Sequence, residues 1–488
     1  MSSGTENLLI EKIFSFIKTK MNSIHILLKQ INLPITVSGG ALLLATLMVF
    51  TPKEDIAPFF IFLLGISSAL VIAILLEPQD FKILFSLFSL AFLARCFLSL
   101  LLFLLSYTQI GAGNPIGAGP GFLLPSDGFN YSQNAWEIAK YHLMGLPLTP
   151  KAVTRIMMQY AGTITNYDFW NAKVYYHIGK SPLSMFFILS FLSSLTSLFI
   201  YSLTKDIFNR KIAFWSGFLS AFWPSLIFWP SQNLKEPLVC FGIVVFFYSF
   251  VKLIKKFNPL FFLLIIISAF ILWRMSPWML LPMIFVIAIS LFMNFTGMSI
   301  MPLILGTVLV IPPLWLFHNE IFHFLINVSP SMAAKFTPLL SYSLSLDAID
   351  YLRSVRAYGN LAILPNFDIS SPTNMLLFLP IGLIYAWFSP FPWNVGSIFQ
   401  IIAIPEMILF YLLFPKLVRG ITFSWRQRKK QTSAIILFVI LMSLILALIE
   451  GNAGTLFRHR SYILYFCFIF ISVGVFRKEL VASERRKT

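Results

Sequence analysis

The stretch Ser126-Asp127-Gly128-Phe129-Asn130-Tyr131 lies inside a polar segment, residues 108–180, that differs in composition from the chain around it. The segment collects Gly, Pro, Asn and Tyr, together with carboxylates and histidines. The stretches on both sides are apolar over the length that a helix needs to cross a bilayer. In a chain this apolar, a long polar segment indicates a part that functions in water. We therefore expect a fold in which transmembrane helices carry a loop outside the membrane.

The composition is that of a polytopic membrane protein. Of the 488 residues, 58% are hydrophobic and 11% are charged, whereas soluble domains carry roughly 25% charged residues. In such a chain the net charge of +17 indicates basic cytoplasmic loops rather than nucleic-acid binding. Cys96, Cys240 and Cys467 all lie in apolar runs, so the cysteines predict neither a disulfide framework nor a metal site.

Thirteen apolar runs approach the length of a membrane span. Three precede the first polar segment, six follow it, and four follow a second polar segment at 318–374. The runs lie near residues 35–51, 57–76, 85–107, 182–203, 211–229, 237–254, 258–273, 277–294, 299–317, 375–390, 396–418, 433–450 and 461–476.

The distribution of Lys and Arg predicts that both chain ends are cytoplasmic. Residues 416–430 contain six basic side chains and residues 477–487 contain five, as is typical of the cytoplasmic face. Strict alternation of thirteen spans would place both segments outside, so one run does not cross. The run 375–390 is short, contains Pro380 and leads into an aromatic, proline-rich stretch, which favours a re-entrant or interfacial piece. We therefore predict an all-α polytopic protein with about twelve transmembrane helices (about 11–13) and one such piece.

This topology divides the chain into seven parts and predicts two helical extracytoplasmic loops. The N-terminal part mixes lysines with Ile, Leu and Phe, as an interfacial amphipathic helix does. The parts are a cytoplasmic amphipathic segment (1–33), three N-terminal spans (34–107), the first extracytoplasmic loop (108–180), a central bundle of spans (181–317), the second extracytoplasmic loop (318–374), the C-terminal spans with the re-entrant piece (375–476) and a basic cytoplasmic tail (477–488).

Charged side chains lie at several span ends on the predicted outer face, where such residues are often functional. Asp127 opens a helix in the first loop, and Tyr131 follows one turn later. Cations at outer span ends are suited to hold the phosphate of a lipid-linked substrate by charge-assisted hydrogen bonds. The candidates for this ring are Lys235, Arg274, Arg458 and Arg460, with Glu236 and His459 beside them in the sequence.

Each candidate also has a structural interpretation. Asp127 can cap the helix that follows it, and Glu236-Pro237 is a common way to begin a helix. Arg458 and Arg460 can anchor the last span at the interface. The histidines are scattered, and the chain contains no GxGxxG, P-loop, HExxH or CxxC motif, so the sequence predicts neither a nucleotide site nor a metal site.

Taken in order, several motifs resemble the integral-membrane GT-C glycosyltransferases, a class that includes protein mannosyltransferases and the aminoarabinose transferase of lipid A. The likeness covers about two thirds of the chain in short pieces. It departs from the family in having three spans before the first loop, and a single Asp127 followed by Gly128 where an acidic pair is common. The motifs are Asp127-Gly-x-x-Tyr131, Trp223-Pro224, Leu234-Lys-Glu-Pro237 and Gly454-x-x-Phe457-Arg458-His-Arg460.

The resemblance implies an inverting transfer of a sugar from a polyprenyl-phosphate donor to a hydroxyl of a glycan, lipid or protein outside the cytoplasm. It implies an inner (plasma) membrane protein that contacts membrane lipids and no nucleic acid. No cofactor follows with certainty, and participation of a divalent cation, magnesium or manganese, stays open. Asp127 would be the base on the attacking hydroxyl. The other implied site residues are Glu236 as a second catalytic carboxylate, and Tyr131, Lys235, Arg274, Arg458, His459 and Arg460 as binders of substrate and lipid phosphate.

Two other functions remain open at this point. An O-antigen or exopolysaccharide repeat-unit polymerase would use Arg353 and Arg356 of the second loop more than Asp127. A lipid-linked-sugar transporter or flippase would show inverted repeats and charges along a central pathway. Only Arg95 and Glu406 lie deep in predicted spans, and no repeat is evident, so the transferase is the preferred interpretation.

Overall fold

Several helices begin at a polar residue that caps an apolar run. Asn209 accepts a hydrogen bond from the main-chain nitrogen of Ile212, and Asn258 accepts one from that of Leu260. These side chains satisfy donors that the first turn of a helix leaves without a partner. The local sequence therefore sets where these helices start.

The computed structural model describes residues 32–50, 55–106, 122, 126–160, 164–296, 346–393 and 398–485. Most of the predicted segment 1–33, the predicted span 299–317 and the first half of the second polar segment lie outside the described residues. The helices are α1 (Asn32–Phe50), α2 (Ala57–Leu76), α3 (Phe81–Leu105), α4 (Ser126–Leu143), α5 (Pro150–Tyr160), α6 (Asn166–Ile178), α7 (Pro182–Ile207), α8 (Arg210–Phe222), α9 (Pro224–Phe228), α10 (Glu236–Lys255), α11 (Pro259–Met275), α12 (Leu280–Thr296), α13 (Leu346–Arg356), α14 (Pro372–Phe388), α15 (Ile398–Gln427), α16 (Lys429–Ile449), α17 (Ala453–His459) and α18 (Ser461–Arg485).

The prediction of an all-α polytopic membrane protein is confirmed for the described part of the chain. Outside the helices, Ala362 and Asn452 form an isolated antiparallel β-bridge. Within the described ranges, seven helices are long and apolar enough to cross a membrane, or eight if α8 and α9, which meet at 59°, form one broken span. The seven are Ala57–Leu76, Phe81–Leu105, Pro182–Ile207, Glu236–Lys255, Pro277–Phe295, Ala403–Gln427 and Lys429–Ile449.

The run that was expected not to cross forms α14, a helix of 17 residues with Pro380 inside it. It is shorter than the seven candidate spans. It packs closely along α16, where Gly382 lies against the main-chain carbonyl of Ala447. Helix α11, which was expected to cross, is also 17 residues long and falls in the same class of short apolar helices, so the re-entrant or interfacial placement of α14 stays a prediction.

The described residues form two compact units. Unit 1 contains those within Met1–Ile164, Asp168–Leu198 and Ser231–Asn233. Unit 2 contains those within Thr165–Tyr167, Phe199–Pro230 and Leu234–Thr488. Asp127 therefore belongs to unit 1, whereas Glu236 and the residues of the last turn of α17 belong to unit 2.

In unit 1 the helices of the first polar segment share a small apolar core. Ala135 and Ile138 of α4 are fully buried against Ile156 of α5 and Ala172 of α6. The spacing along α4 puts His142 on the same face as Ala135 and Ile138, but His142 is exposed. His142 lies in the last turn of α4, which ends at Leu143.

In unit 2, helices α15 and α18 cross at a very short distance through glycine. An added β-carbon at Gly420 would overlap the main-chain carbonyl of Phe470, and one at Gly474 would lie 2.8 Å from the carbonyl carbon of Lys416. Helices in membranes commonly associate through such small residues, because backbones can then approach closely. The crossing fixes the middle of α18 against α15. Helix α18 begins directly after the short helix α17.

We expect Gly420→Val to destabilise the protein by about 1–3 kcal/mol or more, because the added side chain must push two backbones apart. The midpoint of unfolding of the purified protein in detergent measures the effect. Val418→Leu, at a position on the same helix that is 49% exposed, is the matched control and should leave the midpoint unchanged. Equal midpoints for Gly420→Val and the control would contradict the close crossing.

Candidate functional site

The centre of the candidate site is the carboxylate of Glu236, which is 2% exposed. Glu236 is the first residue of α10, follows Lys235 at the cap, and precedes Pro237, which begins a helix without losing a hydrogen bond. The positive end of the helix dipole favours a carboxylate in this first turn. A carboxylate buried at the end of an apolar helix nevertheless needs a charged partner.

Two such partners come from the last turn of α17. Nε of Arg458 lies 3.3 Å from Oε1 of Glu236, and Nε2 of His459 lies 3.3 Å from the same oxygen. Asn452 begins α17 by accepting hydrogen bonds from the main-chain nitrogens of Gly454 and Thr455. Because α17 is only seven residues long, this cap places both cations in its last turn, where the helix dipole favours positive charge.

A second buried carboxylate completes the cluster. Oε1 of Glu450 lies 2.7 Å from Nδ1 of His459 and accepts a hydrogen bond of 2.9 Å from Arg356. Arg356 is the last residue of α13, so the second polar segment reaches the site through it. The imidazole of His459 thus lies between two carboxylates. We call Glu236, Arg356, Glu450, Arg458 and His459 the charged cluster.

The surroundings of His459 favour its protonated form. Burial lowers the pKa of the imidazole, but the charge of Glu450 and hydrogen bonds to Glu236 and Glu450 outweigh it, so the pKa is raised above the ordinary value of 6.5. Burial likewise raises the pKa of Glu450, but His459, Arg356 and Arg458 lower it below its ordinary value. The cluster therefore contains an ionised Glu450 beside a readily protonated imidazole.

The charges of the cluster do not cancel. The negative charges of the two carboxylates equal the positive charges of the two guanidinium groups. The protonated imidazole then leaves an excess of positive charge, and the half-buried Lys235 increases this excess. Such an excess, placed where water is largely excluded, favours an anion. Phosphate oxygens are the acceptors that arginine and protonated histidine bind best.

Some polar atoms of the cluster have no hydrogen-bond partner among the described residues. They are Oε2 of Glu236 and Oε2 of Glu450, and the indole nitrogen of Trp229, outside the cluster, is in the same state. The ring of Trp229 packs at 6.1 Å, edge to face, against that of Phe457, the residue before Arg458. Buried polar atoms in proteins rarely lack a hydrogen-bond partner. These atoms are therefore available to bond hydroxyl groups and acceptor atoms of a ligand.

The other two cations of the predicted ring in unit 2, Arg274 and Arg460, differ in their surroundings. Arg274 is exposed in the last turn of α11. Arg460 is buried, and its guanidinium donates to the main-chain carbonyls of Ala386 and Ser389 and contacts Met407. Arg460 therefore braces the end of α14, and we leave it out of the candidate site.

In unit 1, Asp127 and Tyr131 are both half-buried and lie one turn apart at the start of α4. Gly128, between them, packs against the main chain of Asn233, whose side chain donates a long hydrogen bond of 3.5 Å to the Gly128 carbonyl. A β-carbon at position 128 would approach that main chain to 3.2 Å. A glycine after Asp127, which departs from the family pattern, thus allows this contact.

Two residues that other functions would use are bonded within the protein. Arg353, one of the two arginines expected in a polymerase, is 1% exposed and donates to the carbonyls of Ile363, Leu364 and Phe367. Glu406 accepts hydrogen bonds from the Trp223 indole and from the main chain and hydroxyl of Ser225. Both side chains hold turns or helix breaks in place.

Sequence reasoning selected Glu236, Arg458 and His459, which the structure brings together. It assigned no role to Glu450 or Trp229, and it gave Arg356 a role only in the polymerase alternative. Glu450 carried a signal, because it is a carboxylate directly at the end of a span. The pairing of Arg356 with Glu450 carried none, since it joins residues 94 positions apart.

No protein-family model matches this chain, and no curated protein shows significant similarity to it. The geometry of the charged cluster is therefore the main basis for a functional assignment, with the motif resemblance beside it.

We expect the charged cluster to make stability depend on pH. The pKa of folded His459 is raised, so its stabilising contribution is complete below about pH 6.5 and is lost as the pH rises through the folded value. The melting temperature of the purified protein should fall by several degrees between about pH 6 and pH 9. His459→Gln should lack this fall, and equal pH profiles for the two proteins would contradict the ionic role.

Proposed function

We propose that this protein is an integral-membrane glycosyltransferase that moves a sugar from a polyprenyl-phosphate donor to a hydroxyl of a glycan, lipid or protein. The observation that carries the proposal is the charged cluster, which combines an excess of positive charge with carboxylate oxygens that lack hydrogen-bond partners among the described residues. Both features lie at the ends of apolar helices, where the headgroup of a lipid would arrive.

The cations of the cluster are suited to the phosphate. In a transfer from a lipid phosphate, the bond between the sugar C1 and the phosphate oxygen breaks, and negative charge collects on the phosphate. Arg458 and protonated His459 can stabilise that charge in a site that largely excludes water. Lys235, next in sequence to Glu236, adds a further positive charge.

The acceptor atoms of the cluster are suited to the sugar. Sugar hydroxyls are donors, and Oε2 of Glu236 and Oε2 of Glu450 can accept hydrogen bonds from them. The Trp229 indole can donate to a ring or hydroxyl oxygen. An anion-binding group alone would serve any phosphate, whereas this combination favours a phosphate attached to a polyhydroxylated molecule.

The base of the reaction is assigned to Asp127 by the resemblance of its motif. In that role its carboxylate takes the proton of the attacking hydroxyl while the new bond to C1 forms on the face opposite the phosphate, which inverts the configuration. Tyr131, one turn later on α4, would help to bind the substrate. No nucleotide site is required, because the donor arrives in the membrane.

We also propose a membrane topology. About twelve helices would cross the inner (plasma) membrane, with both chain ends in the cytoplasm and the two polar segments outside. The first polar segment would then present α4 to the acceptor. Of the two arginines that the polymerase alternative would use, Arg356 lies in the charged cluster, whereas Arg353 is bonded to main-chain carbonyls. The transporter alternative has weaker support because Glu406 is bonded within unit 2.

The first test of the proposal changes the base. Asp127→Asn should lower sugar transfer by about 10²-fold or more, because a general base contributes about 10²–10⁴-fold. Membranes with equal amounts of each variant are incubated with labelled polyprenyl-phosphate hexoses and pentoses, and donor consumption is measured. Glu137→Gln, a matched change on α4 at a side chain paired with Lys140, should retain activity. Activity near wild type in Asp127→Asn would remove this assignment.

The second test measures donor binding without knowledge of the sugar. Arg458→Gln should weaken the binding of undecaprenyl phosphate by about 10-fold or more, because a charge-assisted contact is lost. Undecaprenol, which lacks the phosphate, should bind both proteins equally. Arg426→Gln, at an exposed position in the last turn of α15, is the control. Equal loss of phosphate and alcohol binding would mean that Arg458 only supports the fold.

A further inference from the structure

The last turn of α10 carries basic side chains at the end of the helix that is remote from the charged cluster. Helix α10 begins at Glu236 and ends at Lys255, and Lys252 lies one turn before that end. Its 20 residues correspond to about 30 Å of helix, which is the thickness of the hydrocarbon core of a bilayer. A helix of this length that crosses the bilayer places charge at both membrane surfaces. On the topology proposed above, this end of α10 faces the cytoplasm.

Both lysines contact Asp206 in the last turns of α7. Nζ of Lys252 lies 2.5 Å from Oδ2 of Asp206, and Nζ of Lys255 donates a hydrogen bond to the main-chain carbonyl of Asp206. Arg428, which caps the start of α16, is close enough to interact electrostatically with Lys255. We call Lys252, Lys255 and Arg428 the basic cluster. Its members come from two distant parts of the chain and belong to unit 2.

The basic cluster concentrates positive charge at a place that a ligand can reach. Two lysines share the carboxyl group of Asp206, and the positive charges of Lys252 and Arg428 both act on Lys255. Like charges held close together repel one another, and an anion among them would replace this repulsion by attraction. Lys255 is exposed, and Lys252 and Arg428 are half-buried, so the cluster is open from outside the protein.

An exposed apolar surface continues directly from the basic cluster. Phe257, two residues after Lys255, is 71% exposed, and Leu260 and Leu263 of α11 are 57% and 51% exposed. The ring centroid of Phe261, also on α11, lies 5.9 Å from Nζ of Lys252, which places the start of α11 beside the cluster. Lipid acyl chains are as apolar as leucine side chains and cover such a surface in a membrane.

We propose that the basic cluster binds the phosphate of an anionic phospholipid whose acyl chains lie along the exposed face of α11. Ammonium and guanidinium groups donate charge-assisted hydrogen bonds to phosphate oxygens. Basic pockets between transmembrane helices at the cytoplasmic side are suited to anionic lipid headgroups. A soluble anion would contact only the cations, whereas a phospholipid contacts the cations and the apolar side chains together.

The bound lipid would join the end of α10 to the start of α16. Because Glu236 is the first residue of α10, the lipid would stabilise the helix that carries the centre of the charged cluster at its other end. This inference does not rest on the proposed function. Lipid binding is measured without sugar transfer, so the failure of one proposal can be told apart from the failure of the other.

The test uses the purified full-length protein, freed of bound lipid by washing in detergent. Native mass spectrometry during a titration with dioleoyl phosphatidylglycerol should show binding at least about 5-fold tighter than that of dioleoyl phosphatidylcholine, because only the former has a net charge for the cluster to attract. Phosphatidylglycerol should also raise the melting temperature by several degrees. Glycerol 3-phosphate, which lacks the acyl chains, should not raise it. Equal binding of the two lipids, or an equal effect of glycerol 3-phosphate, would overturn the proposal.

Variants make the test specific to the basic cluster. Lys255→Gln should weaken phosphatidylglycerol binding about 5-fold or more, because a charge-assisted contact is lost, and should melt like the wild type in phosphatidylcholine. Lys255→Arg, which keeps the charge, should keep the binding. Lys82→Gln, at an exposed lysine near the start of α3 on the same proposed side of the membrane, is the matched control.

Three outcomes contradict this proposal. Wild-type binding by Lys255→Gln would remove the basic cluster as the site. An equal loss of binding in Lys82→Gln would mean that the lipid is attracted by the overall charge of the face. An equal loss in Lys255→Arg would mean that this position only supports the fold.

Discussion

The arrangement at the end of the spans in unit 2 depends on one buried ionic contact, that of Glu236 with Arg458 and His459. A carboxylate in nearly dry surroundings is tolerated only if cations and hydrogen bonds compensate the loss of water. Glu236 begins α10, and the two cations end α17, so the contact joins helices that are more than 200 residues apart in sequence. Glu450 and Arg356 extend the same contact to α16 and α13.

Burying such a cluster of charges between helices costs hydration free energy. Apolar side chains of similar volume often stabilise a protein as well as a buried ion pair does, or better. The cluster also carries an excess of positive charge and two carboxylate oxygens that lack hydrogen-bond partners among the described residues. A purely structural network would be expected to neutralise its charges and satisfy its acceptors. The surplus on both counts is the physical reason for assigning a ligand with a phosphate and hydroxyl groups.

Much of the architecture was predictable because it rests on local pattern. Apolar length predicted the candidate spans among the described residues, whereas the re-entrant or interfacial placement of α14 stays a prediction. Charges at span ends identified Glu236, Arg458 and His459. The direction of Arg460 toward the end of α14, the pairing of Arg356 with Glu450 and the meeting of Asn134 with Asp168 were not predictable, since each joins distant parts of the chain. Only packing in three dimensions decides such contacts.

The central claim is that the charged cluster binds the phosphate of a polyprenyl lipid. An electron cryo-microscopy structure of the protein with bound undecaprenyl phosphate tests it most directly. The account predicts phosphate density within about 3 Å of the guanidinium of Arg458 and the imidazole of His459. Phosphate density elsewhere, with Glu236 still closed on Arg458 at 3.3 Å, would contradict it.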